Sequence, residues 1–176
     1  MLSAPLLAVL IQTLTGTAVD ALRAPAGVTA IVYIFTSTDC PVSNRYAPDV
    51  QRLVRAFAPK GVAFRLIYPS RAESDAAIRA HQRAFAYEGL TEAFRDPALA
   101  LVKFSGATIT PEAVVVANGT VVYRGRIDDR YVELGVERPA PTTHDLADAL
   151  TATLAGTPIA RPITQAVGCF IADLTR

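Results

Sequence analysis

The sequence has no tryptophan, one methionine, two histidines and two cysteines. Two cysteines cannot build the multi-bridge framework of a small secreted scaffold, and with two histidines at these spacings they cannot supply a four-ligand structural zinc site. No charge sign dominates either: 17 Lys and Arg against 16 Asp and Glu leave a formal net charge of +1. A chain so balanced carries no basic footprint for nucleic acid, and its scattered aromatics, 7% of residues, offer no base-stacking platform. No apolar run approaches the roughly 20 residues of a membrane-spanning helix. The apolar opening MLSAPLLAVLI (1–11) has no Lys or Arg before its core and reads as either an export-signal remnant or an opening strand. Beyond such a signal, no membrane association is expected. Internal repeats and low-complexity stretches are absent as well.

What is present is a chain of 176 residues, 51% apolar, enough for one domain with a sizeable core. Strand and helix signals alternate, the pattern of an α/β domain with a mainly parallel sheet. Residues 12–22 read as two short strands joined at Thr15-Gly16. The β-branched run VTAIVYIF (28–35) reads as a strand covered on both faces at the sheet centre. A helix follows through APDVQRLVRAFAP, with Val50, Leu53, Val54 and Phe57 at helical spacing, and VAFRLIYP (62–69) is a second core strand. Residues 74–87 read as a helix with Ile78 and Phe85 on one face and His81 as a satisfied surface or boundary histidine. A short helix and loop over 99–110 lead to the strand AVVVA (113–117). Asn118-Gly119, the pair best suited to the positive φ of a type I′ turn, joins it to TVVYRGRI (120–127). HDLADALTATLAG closes as an amphipathic helix with Leu146, Ala149, Leu150 and Leu154 inward, a capping box of Thr142 with Asp145, and Gly156 as its stop. The last 20 residues carry two prolines and form a tail that includes Cys169.

In FTSTDCPVSN (35–44), Cys40 falls just past the end of the central strand and opens a helix. Pro41 suits the first helical position, where its missing N–H costs nothing. Free N–H groups of Val42, Ser43 and Asn44 at the positive end of the helix favour thiolate over thiol. Asp39 opposes that effect and Arg45 assists it. The crevice beyond strand ends is also where α/β sheets bind ligands. The competing reading is an inert buried cysteine.

The order of strand, T-x-x-D-C-P-x-S at a helix start, T-I-T-P before a hairpin, and a closing helix resembles the thioredoxin superfamily. The likeness covers residues 28–155. Within the superfamily it is nearest to bacterial redoxin-domain proteins of the TlpA and peroxiredoxin-like branches, here with a C-P-x-S site. The resemblance implies a thioredoxin-like α/β fold with a central mixed sheet flanked by helices. It divides the chain into an N-terminal segment (1–11), the thioredoxin-like domain (12–156) and a tail (157–176). It further implies that Pro111 is cis, that Thr110 lines the site, and that Asp39, Pro41, Ser43 and Arg126 contact substrate.

Departures from that family bear on activity. Ser43 stands where C-x-x-C has its second cysteine and cannot resolve a mixed disulfide. Tyr33 and Ser37 occupy the proline and threonine places of the peroxiredoxin pattern, and Asn44 replaces the second cysteine of the copper-delivering C-x-x-x-C relatives. Cys169 is then the one internal candidate to release an adduct on Cys40. Gly168 before it would allow close backbone approach, with Phe170 and Ile171 anchoring the tail. A Cys40–Cys169 bond would close a loop of about 130 residues, which chain-entropy reasoning values at roughly 5 kcal/mol at most. A redox-cycling pair, a static bridge and an uninvolved tail cysteine all stay open. Arg126, Asp128, Asp129 and Arg130 read as a solvated salt-bridge cluster or as a rim for substrate. His144 reads as a surface histidine at a helix start.

The expected function is thiol-disulfide exchange with Cys40 as nucleophile and Cys169 resolving. Its alternatives are a thiol-dependent peroxidase, a copper-accessory protein using Cys40 and His144, and a non-catalytic binding module. Expected partners are protein or small-molecule thiols and disulfides, with peroxides for the peroxidase alternative. No cofactor and no resident metal are expected. The family resemblance leans toward an extracytoplasmic site of action, with the cytoplasm as the alternative.

Overall fold

The computed structural model describes residues 8–175, apart from the side chains of Asp173 and Thr175. Most of the apolar opening, residues 1–7, therefore lies outside the described residues. The run of β-branched residues expected at the sheet centre forms β3 (Ala30–Phe35), with all six residues buried. It pairs in parallel with β4 (Val62–Tyr68) on one side and antiparallel with β7 (Glu112–Ala117) on the other. Strand β5 (Glu92–Arg95) continues the sheet beyond β4, and β1 (Leu10–Thr13) and β2 (Ala18–Asp20) complete that edge. Strand β8 (Thr120–Gly125) closes the other edge, giving the order β2-β1-β5-β4-β3-β7-β8. The β7–β8 turn is at Asn118 and Gly119, with φ of 50° and 73° as a type I′ turn demands. Strand β5 was not anticipated; its EAFR sequence has one buried residue, Phe94.

Side chains of successive strand residues alternate between two apolar layers. Val32, Ile34, Leu66 and Val115 pack with Val50 and Val54 of α2 (Ala47–Phe57), Ile78 of α3 (Asp75–Ala84) and Leu146 and Leu150 of α5 (Asp145–Ala155). Ile31, Phe35, Ile67 and Val114 face the other way, toward Leu101 and Val102 of α4 (Ala100–Ser105). Full burial of each such side chain contributes about 1.5–3 kcal/mol. Because β3 and β4 run parallel, the loops that follow them, carrying Cys40 and Glu73, emerge at the same end of the sheet. No described helix is long and apolar enough to cross a membrane.

Three local expectations change. The helix after Cys40 is two helices: α1 (Pro41–Arg45) stops at Tyr46 before α2 begins, because Pro48 sits in the first turn of α2. Helix α5 has no capping box. Asp145 is buried and committed to ion pairs with Arg126 and Arg161, and the Thr142 hydroxyl and amide both donate to Asp129. His81 is buried, not at the surface, with 6% of its area exposed.

The tail packs back on the sheet. Thr164 N donates to Arg124 O and Arg124 N to Pro162 O along the β8 edge, and the Thr164 hydroxyl accepts from Arg126 N. Strand β11 (Cys169–Phe170) then pairs antiparallel with β6 (Ile109–Thr110), setting Cys169 opposite Thr110. Ile171 N donates to Thr108 O, and the Ile171 side chain is buried.

Candidate redox site

Cys40 is 1% exposed and N-caps α1, with Pro41 at its first position. The free N–H groups are fewer than expected. Asn44 N is spent on the Cys40 carbonyl at 3.0 Å, so the amides of Val42 and Ser43 remain. Helix α1 has five residues, too short for a large dipole, and the polar contribution comes from groups next to the sulfur. Ser43, buried at the position of the missing second cysteine, presents its hydroxyl to the Cys40 sulfur, where it favours the charged form.

The second sulfur arrives from the tail. Cys169 Sγ lies 2.7 Å from Cys40 Sγ, and both residues are free thiols here. Gly168 makes that approach feasible: a Cβ on it would collide with the Thr110 carbonyl. The Thr110–Pro111 peptide bond is cis, and the Thr110 carbonyl accepts from the Cys40 thiol at 3.0 Å. Thr110 Oγ1 donates to the Cys169 carbonyl at 3.4 Å. Ile171 anchors the tail as expected, whereas Phe170 is 79% exposed and anchors nothing within the chain.

The two thiols are driven apart electrostatically. Burial pushes the Cys40 pKa up, but hydrogen bonds from Cys169 and from the Ser43 hydroxyl and amide outweigh it and hold the thiol below its ordinary value. Cys169 is pushed up to about 12, by burial first and then by the hydrogen bond and charge of Cys40 and the charge of Asp39. Of the two thiols, Cys40 is therefore the first to ionise and Cys169 the one that keeps its proton. Asp39, exposed and hydrogen-bonded by Ser37, acts on the tail sulfur.

Two polar groups without a sequence signal hold the 36–39 loop. Glu73 Oε1 accepts from Thr38 N at 2.6 Å and from Ser37 Oγ at 3.3 Å, while Oε2 is buried without a partner. Burial raises the Glu73 pKa against those hydrogen bonds. On the other side, Tyr68 OH contacts His81 Nδ1 at 2.9 Å, His81 Nε2 contacts Asn44 Oδ1 at 2.7 Å, and Asn44 Nδ2 donates to Thr38 O at 3.3 Å. With the Asn44 oxygen accepting, Nε2 carries the ring proton and Nδ1 accepts from the tyrosine. Burial lowers the His81 pKa and keeps the ring neutral for this role.

A cleft of about 470 Å³ opens beside the pair, lined by Ser37, Thr38, Asp39, Glu73, Thr110 and Cys169 among others. Cys40 is not part of its wall. A larger concavity of about 510 Å³ lies at the opposite end of β3, beside Asp20, Arg23 and Asn118, and holds no nucleophile.

The remaining expected residues lie elsewhere. Arg126 Nε donates to Asp145 at 2.8 Å and Arg126 does not line the cleft. Asp128 and Asp129 are buried, not solvated: Asp128 accepts from Tyr46 OH at 2.5 Å, and Asp129 accepts from Thr142 and Thr143. Arg45 pairs with Glu137 at 2.7 Å on the surface. His144 is exposed at the N-cap of α5. Among the described residues no group of three or more His, Cys, Asp or Glu could hold a metal ion.

No family model matches the chain, and no curated protein matches it. Solved structures do. An uncharacterised conserved protein from Geobacillus kaustophilus is 23% identical, with a TM-score of 0.78 over 97% of this chain and 91% of that one. A hypothetical protein from Sinorhizobium meliloti is 21% identical, with a TM-score of 0.77 over 97% and 93%. A secreted Mycobacterium tuberculosis disulfide oxidoreductase homologous to E. coli DsbE is 20% identical, with a TM-score of 0.55 over 88% and 99%. With the mixed sheet flanked by helices, these likenesses identify a thioredoxin-like fold.

Proposed function

We propose that this chain is a thiol-disulfide oxidoreductase cycling between a Cys40/Cys169 dithiol and a Cys40–Cys169 disulfide. The observation that carries this reading is the 2.7 Å separation of the two sulfurs, from residues 129 positions apart, with Cys169 held in register opposite Thr110. A static bridge would not require the two thiols to differ in acidity, as Cys40 and Cys169 do. The low pKa of Cys40 stabilises the reduced form and so makes the disulfide the more oxidising. Thr110 forms part of the cleft wall, with Pro111 buried behind it, and partners are protein or small-molecule thiols and disulfides. The known activity of the Mycobacterium tuberculosis structural neighbour is of the same kind.

The cleft argues for this chemistry over peroxide reduction. Among the described residues its wall carries Asp39 and Glu73 and no Lys or Arg to orient a peroxide oxygen. The test is thiol counting after reaction of the reduced protein with oxidised glutathione. Wild type should lose both thiols and carry no glutathione, while Cys169→Ala should not form an internal bond. Two thiols surviving in wild type under oxidising glutathione would reject the reading.

A further inference from the structure

In the expected order of events Cys40 meets the partner and Cys169 resolves. The geometry opposes that order. Cys40 is 1% exposed and forms no part of the cleft wall, because the tail lies over it and β11 occupies the backbone of Thr110. Cys169 is half-buried, lines the cleft, and is followed by the exposed Phe170. The tail is no loose strap, since Thr164, Ile171 and the Gly168 contact all fasten it.

We infer that Cys169 is the sulfur through which partners exchange, and that Cys40 is the internal thiolate that leaves from it and returns to it. The inference rests on the redox-pair reading above. In the oxidised protein, one thiolate of a partner dithiol attacks Cys169 Sγ from the cleft. A partner–Cys169 disulfide forms, the Cys40–Cys169 bond breaks, and Cys40 departs as the thiolate. The second thiolate of the partner then attacks the partner sulfur of the mixed disulfide and closes the partner's own disulfide. Cys169 leaves with the electron pair and takes up a proton. The partner has lost two electrons and the protein pair has gained them. The reverse sequence against a partner disulfide regenerates the internal bond. Cys169 passes its proton to the Cys40 thiolate and attacks one partner sulfur, expelling the other as a thiolate that takes up that proton. Cys40 then attacks Cys169 Sγ and expels the second partner thiolate. Cys40 suits the internal role because a low-pKa thiol is the better leaving group. Extended polypeptides have no free Thr110 backbone to pair with, so the site takes partners that present their dithiol to the cleft, unlike one that must lie along β6.

The experiment compares single-thiol proteins and maps the adduct in wild type. Reduced Cys40→Ala and Cys169→Ala proteins are each treated with oxidised glutathione, and adduct formation is followed by intact mass. The thiol of Cys40→Ala should be modified faster than that of Cys169→Ala, by about tenfold or more after correction for thiolate fraction. In parallel, oxidised wild type is pulsed with reduced glutathione, quenched in acid and digested; glutathione should be found on Cys169. This second arm needs no substitution and stands even if a variant fails to fold. Glutathione on Cys40 in wild type, or faster modification of Cys40 than of Cys169 after the same correction for thiolate fraction, overturns the inference while leaving the redox pair intact. Failure of wild type to form any internal disulfide rejects the pair and the inference together.

Discussion

The two cysteines touch, yet the segments that deliver them differ in almost every physical respect. Cys40 comes from the end of a fully buried strand, is itself buried, and is surrounded by donors that favour its charge. Cys169 comes from a two-residue strand at the molecular edge, borders an open cleft, and is pushed toward the neutral thiol by burial, by Cys40 and by Asp39. Such asymmetry is what an exchange pair needs: one sulfur to carry charge cheaply and one to be reached. The familiar C-x-x-C arrangement puts both in one helical turn. Here Ser43 keeps the polar part of that position, and the second sulfur is moved to the tail.

Breaking the comparison outright means deleting one side. Cys40→Ala or Cys169→Ala should each reduce turnover with a dithiol substrate by about a hundredfold or more, since no other cysteine exists to close the cycle. Steady-state oxidation of dithiothreitol, coupled to oxidised glutathione, measures it.

Moving the tail without touching either sulfur is the next largest change. Gly168→Val places a branched side chain against the Thr110 carbonyl. Internal disulfide formation should slow by about tenfold, whereas alkylation of Cys40 by iodoacetamide should speed up as its cover lifts. If both rates fell, the tail would be a support for Cys40 instead of its lid.

The Cys40 side is tested through its bracing. His81→Ala strips the buried Tyr68 hydroxyl and Asn44 carbonyl of partners, and should cost about 1–3 kcal/mol in denaturant unfolding. Exchange should slow as well, because Asn44 holds the Thr38 carbonyl.

A subtler contrast appears in pH. The folded pKa of Cys40 lies below its unfolded value and that of Cys169 lies above. Between the folded Cys40 value and about 8.5, the unfolded chain holds the proton that folded Cys40 has lost, so stability of the reduced protein rises with pH. Above about 8.5, folded Cys169 still holds its proton when the unfolded thiol does not, and stability falls again. The stability difference between reduced and oxidised protein should therefore peak near pH 8.5 (about). Smallest of all, Glu137→Ala breaks an exposed pair with Arg45 and should change stability by about 0–1 kcal/mol and exchange hardly at all.

Half of this contrast was legible in the sequence. The Thr110-Pro111 step was legible only through its resemblance to a known family motif, whereas the β-branched run before Cys40 and the helix-opening Pro41 could be read because each has a local physical requirement. Gly168 could be read for the same reason, as a backbone that must come close to another. Phe170 misled, since an apolar side chain marks burial only when the chain direction turns it inward, and β11 turns it outward. Glu73 gave no pattern at all, and the helical spacing that put His81 near an apolar face did not show what it would bond. Their roles depend on loops brought together by the β3–β4 pairing, and no spacing rule links residue 38 to residue 73 or 81. The strand EAFR was hidden because tertiary packing overrode weak local preference, whereas the break at Tyr46 had an unused local sign in Pro48.

The central claim, that Cys40 and Cys169 are one redox pair, is tested most directly by equilibrating wild type across a series of glutathione buffers, trapping with an alkylating agent and mapping the peptides. The account predicts one two-electron transition in which the Cys40 and Cys169 peptides become joined together at a defined potential, with no glutathione retained on either at the end point. A stable glutathione adduct on one cysteine with the other still free throughout the series would contradict it.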